Sequence, residues 1–138
     1  MKSSRKKYRR FNPSFASQVN LDANNRVVVA QLNGFNKYGD AVGVTEDGEV
    51  IDVAFGIPGE EVEVEILGDR DGTLYGRAIK INIPAESRTM PECPHFGECG
   101  GCQLQHIDYG KQLQLKREIV IKTLRETGNI VDPPVSTM

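Results

Sequence analysis

The sequence predicts a mainly β fold, a five-stranded OB-like barrel followed by a cysteine loop and one C-terminal α-helix. Three observations predict it. Short β-branched runs alternate with Gly-centred turns between residues 24 and 84. Three cysteines then fall within ten residues of one another. A single stretch with helical apolar spacing comes next, and it stops before Pro133-Pro134.

The strands come in order. Arg26 to Leu32 (RVVVAQL) is β-branched and apolar, and Ala41 to Val44 follows a Tyr38-Gly39-Asp40 turn. Glu46-Asp47-Gly48 is a hairpin signal, and Val50 to Phe55 forms the third run. Pro58-Gly59 turns the chain again. Glu61 to Ile66 alternates strictly, with Val62, Val64 and Ile66 on one face and three glutamates on the other. Asp69 to Gly72 makes the last turn before Thr73 to Ile83. Five short antiparallel strands cannot bury both faces of an open sheet. Closing them into a barrel removes the edges and leaves one small core. An SH3-like barrel is the close alternative.

Pro84 to Pro91 connects the barrel to the cysteines, and residues 85–107 form the linker and cysteine loop. Asp108 is placed to cap a helix from about residue 109 to 127, within a segment spanning 108–128. Tyr109, Leu113, Val120 and Leu124 share one face of it, and Gly128 suits the stop. Residues 129–138 read as a tail. Residues 1–23 lack any apolar period and read as a disordered arm.

The 138 residues carry a formal net charge of −2, which hides an asymmetry. Residues 1–10 hold six cations and no acid, while the rest hold 11 basic and 19 acidic side chains. A basic arm on an acidic body is a pattern for nucleic-acid contact. Lys6, Lys7, Arg9 and Arg10 would draw phosphates by counterion release; the plainer reading is a solvated tail. The barrel segment has only five basic residues against 11 acidic ones, so RNA contact there needs local clustering. Lys37 and Tyr38, in the turn between the first two strands, are the candidates, with Phe35 or Tyr75 as further stacking platforms; core or turn packing is the plainer reading of these aromatics, above all of Tyr75. No apolar run reaches about 18 residues, so no transmembrane helix and no membrane partner are expected. The N-terminus lacks the apolar stretch of a secretory signal, which points to the cytoplasm.

Cys93, Cys99 and Cys102 follow a C-x5-C-x2-C pattern, with Gly100-Gly101 between the last two. In a reducing compartment such clustering argues for a metal or cluster rather than disulfides. Thiolates are the ligands of iron–sulfur clusters, and a C-x2-C pair reaches adjacent irons around a tight turn. A zinc site is the serious rival, because His106 lies four residues past Cys102 and would complete a Cys3His set. Spacing alone leaves the two open. No nucleophile–base pair and no Gly-rich cofactor loop after a strand are found, so no catalytic or small-cofactor residues are assigned.

The run CPHFGECGGCQLQHIDYGKQLQLKREIV, Cys93 to Val120, resembles the N-terminal cysteine motif of the iron–sulfur RNA uracil-C5-methyltransferases. Asn33-Gly34-Phe35, Gly39-Asp40-Ala41-Val42-Gly43 and Ile57-Pro58-Gly59-Glu60-Glu61-Val62 are similar to segments of their TRAM domain, an OB-like RNA-binding module. The resemblance covers roughly residues 24–131. It implies a 4Fe–4S cluster with Cys93, Cys99 and Cys102 as three of four ligands. The family's fourth ligand is a cysteine further downstream, and this chain has no fourth cysteine. The family's S-adenosylmethionine domain, nucleophilic cysteine and general base also lie downstream. The resemblance further implies RNA as partner, ribosomal RNA in the first place, and no DNA. Two readings result: the RNA-binding, cluster-bearing portion of such a methyltransferase, or a stand-alone RNA-binding protein stapled by zinc.

Overall fold

The computed structural model describes residues 26–97 and 99–137. Five strands, β1 (Val27–Phe35), β2 (Ala41–Thr45), β3 (Val50–Ala54), β4 (Glu61–Arg70) and β5 (Thr73–Ile83), precede one helix, α1 (Tyr109–Gly128). The strands close into a barrel in the order β1-β2-β3-β5-β4, which is the OB-like architecture that the turn spacing predicts.

One expectation is corrected. The strands are not all antiparallel, because β3 and β5 pair in parallel, with Ile51 opposite Leu74 and Val53 opposite Gly76. The reason is parity. Strand directions can alternate around a closed ring only when the ring has an even number of members. A five-membered ring must contain at least one parallel pair. Here the connection from Phe55 to Glu60 carries the chain to a strand that pairs with β1, and the β4–β5 hairpin then brings β5 beside β3.

Alternation builds the core. Val62, Val64 and Ile66 point inward from β4, as their spacing predicts, and meet Leu32, Ile51, Val53 and the small Ala30, Ala41 and Ala78. Gly43 lies where β1 presses closest: a Cβ there would stand 2.0 Å from the Gln31 carbonyl oxygen, so no side chain fits. Two of the three outward glutamates of β4 pair with β5 cations, Glu63 with Lys80 at 3.1 Å and Glu65 with Arg77 at 2.8 Å, and Glu61 accepts from the Gln31 and Asn82 side-chain amides.

A second, smaller core joins the barrel to the cysteine loop and helix beyond it. Phe35, Ile57, Ile107 and Leu115 are buried together, with Leu104 and Ile119 packed against them. The buried stripe of α1 is therefore Leu115 and Ile119. Of the four residues expected on one face, Tyr109 and Val120 are instead exposed, at 71% and 44%, while Leu113 and Leu124 are half-buried. Both strings have helical spacing, and only the position of the barrel selects between them. Asp108 caps α1 as expected, accepting from the Lys111 amide at 3.0 Å. The left-handed stop falls one residue later than expected, at Asn129 rather than Gly128. Among the described residues no helix is long and apolar enough to cross a membrane.

Candidate nucleic-acid interface and cysteine loop

The cysteine loop is tied at its neck. Arg88 and Ile107 form an antiparallel bridge, the Thr89 amide donates to the His106 carbonyl at 2.9 Å, and the Asp108 amide donates to the Ser87 carbonyl at 2.7 Å. Glu60 anchors that neck to the barrel. Its side chain is fully buried, and it accepts from the Ile57 and Ala85 amides at 3.0 and 3.2 Å. Arg88 meets both of its oxygens, Nη2 to Oε2 at 2.7 Å, and also donates to the Phe55 carbonyl at 2.8 Å. A buried carboxylate is tolerated only with such a complete set of donors. The conspicuous Ile57-to-Val62 segment thus carries the residue that joins barrel and loop.

Inside the loop, the Cys99 amide donates to the His95 carbonyl at 2.9 Å, and the Phe96 amide donates to the Cys93 carbonyl at 3.2 Å. Phe96 packs edge-on against Phe55, with ring centroids 5.4 Å apart. Phe55 itself has φ 65°, rare for a bulky residue. Three contacts hold it there: its carbonyl on Arg88 and its ring against Phe96 and His106.

Cys93 is half-buried, and Cys99 and Cys102 are exposed; all three are free thiols. They have the chemistry of cluster ligands. Among the described residues, however, no three His, Cys, Asp or Glu side chains converge on one metal position. The thiols therefore fit a cluster in kind, without a closed ligand cage. His106 is not placed for the Cys3His alternative. Its ring is 1% exposed, its Nε2 faces the Gly56 carbonyl at 3.2 Å, and Phe55 and Phe96 pack around it. Burial first, and the Arg88 charge second, push its pKa down to about 3, so the ring is neutral.

The loop rests beside the β1–β2 turn. A small pocket, about 40 Å³, lies between them, with Tyr38, Asp40, Phe55 and Tyr75 on the barrel side and Cys99, Gly100, Cys102 and Gln103 on the other. Lys37 and Tyr38, the barrel's expected RNA contacts, are both exposed at this place, and the Lys37 ammonium lies 5.2 Å from the Tyr38 ring centroid. Arg70, the last residue of β4, lies 5.7 Å from the ring centroid of the buried Tyr75. The other barrel cations are paired with carboxylates: Arg26 with Glu49, Arg77 with Glu65, Lys80 with Glu63. Lys37 and Arg70 have no such pairing among the described residues, and each sits on an aromatic ring. Asp40 and Asp52 lie nearby. Burial, then the neighbouring Asp52, raises Asp40 to about 6, with the Asn36 side chain and Arg70 pulling the other way.

The sequence reading named Lys37 and Tyr38 as candidates, and the structure places both at this surface; it did not single out Asp40, Arg70 or the Glu60–Arg88 pair. Phe35 and Tyr75 are corrected: they are 8% and 3% exposed, Phe35 packing in the second core, so neither offers a stacking face. The signals for Arg70 and Asp40 were only that both flank turns. Lys6, Lys7, Arg9 and Arg10 lie outside the described residues.

No family model matches the chain. An uncharacterized RNA methyltransferase of Bacillus cereus is 38% identical over 97 residues, which is 70% of this chain and 21% of that protein. The 23S rRNA (uracil(1939)-C(5))-methyltransferase RlmD of Vibrio parahaemolyticus is 39% identical over 77 residues, 55% of this chain and 18% of its own. The solved structure of the Pyrococcus abyssi tRNA (uracil-54, C5)-methyltransferase is matched at 28% identity and a TM-score of 0.46, over 70% of this chain and 21% of that one. The chain is thus homologous over part of its length to RNA methyltransferases, among them a 23S rRNA uracil-C5-methyltransferase, and it spans about a fifth of the length of the curated relatives it matches.

Proposed function

We propose that this chain is the RNA-binding, iron–sulfur-bearing portion of an S-adenosylmethionine-dependent methyltransferase that modifies uracil C5 in RNA, with ribosomal RNA as its substrate. The barrel serves as a TRAM-type module that grips RNA. The observation that carries this reading is the exposed Lys37–Tyr38 pair in the β1–β2 turn, with the Arg70 guanidinium over the buried Tyr75 nearby, beside the cysteine loop. Cations and rings together are the equipment of single-strand recognition. In OB folds the loops joining strands 1–2 and 4–5 are where oligonucleotides are held. The RNA-methyltransferase relatives supply the class of reaction. The basic arm at residues 1–10 adds a sequence-independent attraction to phosphate.

Cys93, Cys99 and Cys102 would hold a 4Fe–4S cluster, with its fourth ligand from outside these residues. A bound cluster would join the loop's two ends and supply a structural core where side-chain packing is thin. Methyl transfer itself belongs to the rest of the enzyme, since no nucleophile–base pair is found in this sequence. The buried His106 argues against the zinc-stapled alternative.

Anaerobic reconstitution with iron and sulfide tests the cluster. The protein should turn brown, and Cys99→Ser should abolish the colour. A colourless protein with stoichiometric zinc would defeat this reading. RNA binding by the chain should weaken with salt at about −0.7 in log–log slope per single-strand phosphate neutralised.

A further inference from the structure

The pocket between barrel and cysteine loop has a composition that a general RNA grip does not need. It is not uniformly basic. Asp40, a half-buried carboxyl, stands in its wall next to the exposed Tyr38 ring, and the floor is Phe55, Ala54 and Tyr75. Gln103, from the cysteine loop, adds an amide on the opposite side. Lys37 and Arg70 flank these groups through their contacts with Tyr38 and Tyr75. Cations at the edge, a ring beside them and a carboxyl within complement, in that order, the groups a nucleotide presents: phosphate, base plane, base edge.

We propose that this pocket takes one unpaired RNA base that carries an exocyclic amino group. The base ring lies against Tyr38, the amino group donates to the Asp40 carboxylate, and the flanking phosphates lie on Lys37 and Arg70. The inference rests on the RNA-binding reading above and specifies its site. An acceptor-only carboxylate pairs with the amino edge of cytosine, adenine or guanine. Uracil turns two carbonyl oxygens toward such a group, flanking its single N3–H, and is disfavoured. The pocket's volume of about 40 Å³ admits the edge of a base and not the whole ring, so the ring itself stands at the mouth, on the exposed Tyr38. The subsite is thus a reader of a neighbouring nucleotide, separate from any uracil that is methylated.

The site includes Cys99 and Cys102 in its wall, so the cysteine loop has a second use: it closes one side of a base pocket. Glu60 and Arg88 set that wall in place through the loop neck.

Fluorescence anisotropy of the full chain with labelled hexanucleotides of cytidine, adenosine and uridine tests the proposal. The cytidine and adenosine oligomers should bind roughly tenfold tighter than the uridine oligomer, the gap of one good base-edge contact. Tyr38→Ala should weaken the tight complexes roughly 5- to 150-fold, the range spanned by one base–aromatic stack, while Tyr38→Phe should bind like wild type. Tyr38 is 60% exposed, so neither change endangers the fold. Asp40→Asn should narrow the gap between cytidine and uridine, because an amide both donates and accepts. Equal binding of all three oligomers, or tight binding that survives both Tyr38→Ala and Arg70→Ala, overturns the pocket and leaves the RNA-binding reading standing. No binding of any RNA at low salt overturns the RNA-binding reading as well.

Discussion

The barrel and the cysteine loop are built on opposite principles. The barrel closes on itself: every strand has two hydrogen-bonded neighbours, and its interior is filled by side chains of alternating residues. The loop has little interior. It contributes exposed thiols, a Gly-Gly turn and one ring, and it is held by a neck and a buried ion pair. The difference teaches where stability and function divide. Apolar burial makes the barrel self-sufficient, whereas the loop depends on a few polar contacts and, under the proposed function, on a cluster.

Removing the anchor should separate the two regions most sharply. Glu60→Ala leaves Arg88 buried without its main partner, and loss of one member of a buried pair costs about 3–5 kcal/mol. Urea denaturation should show that loss. Hydrogen exchange should show protection falling first at Thr89 and Asp108, the neck amides, before the β4 amides.

A smaller effect tests the neck by acid. His106 is neutral in the fold down to about pH 3, while the unfolded chain takes up its proton near 6.5. Between those values the unfolded state binds more protons, so stability falls as pH falls. Asp40, raised to about 6, has the opposite sign over part of the same window and offsets it. Thermal unfolding from pH 7 to pH 4 should show a steeper loss in wild type than in His106→Phe, whose ring cannot charge.

The smallest change sharpens the comparison from the helix side. Asp108→Ala removes the cap on α1 and should cost about 1 kcal/mol. Measured by the same denaturation, it should leave the barrel's own exchange protection unaltered.

Much of this was legible in the sequence. Strict alternation at Glu61 to Ile66 fixes the inward face of β4, because a pleated strand offers no other arrangement. The exposure of Lys37 and Tyr38 was legible because they stand in a turn between strands. What escaped is long-range. The parallel β3–β5 pair comes from closing an odd ring, which no local pattern records. The buried face of α1 depends on where the barrel lies, and the Glu60–Arg88 pair joins residues 28 positions apart. A polar residue at 60 looks like any other turn carboxylate until its partner arrives.

That separation orders the assembly of the molecule in time. The donors that satisfy Glu60 come partly from its own turn, the Ile57 amide, and partly from Ala85 and Arg88, beyond the last strand. The second set is delivered only after β5 has paired along β4, since Ile83 lies opposite Glu61 and carries the chain to the carboxylate. Until then the acid stays hydrated, at no penalty. Closure of the neck is therefore expected as a late step, after β5 has paired along β4.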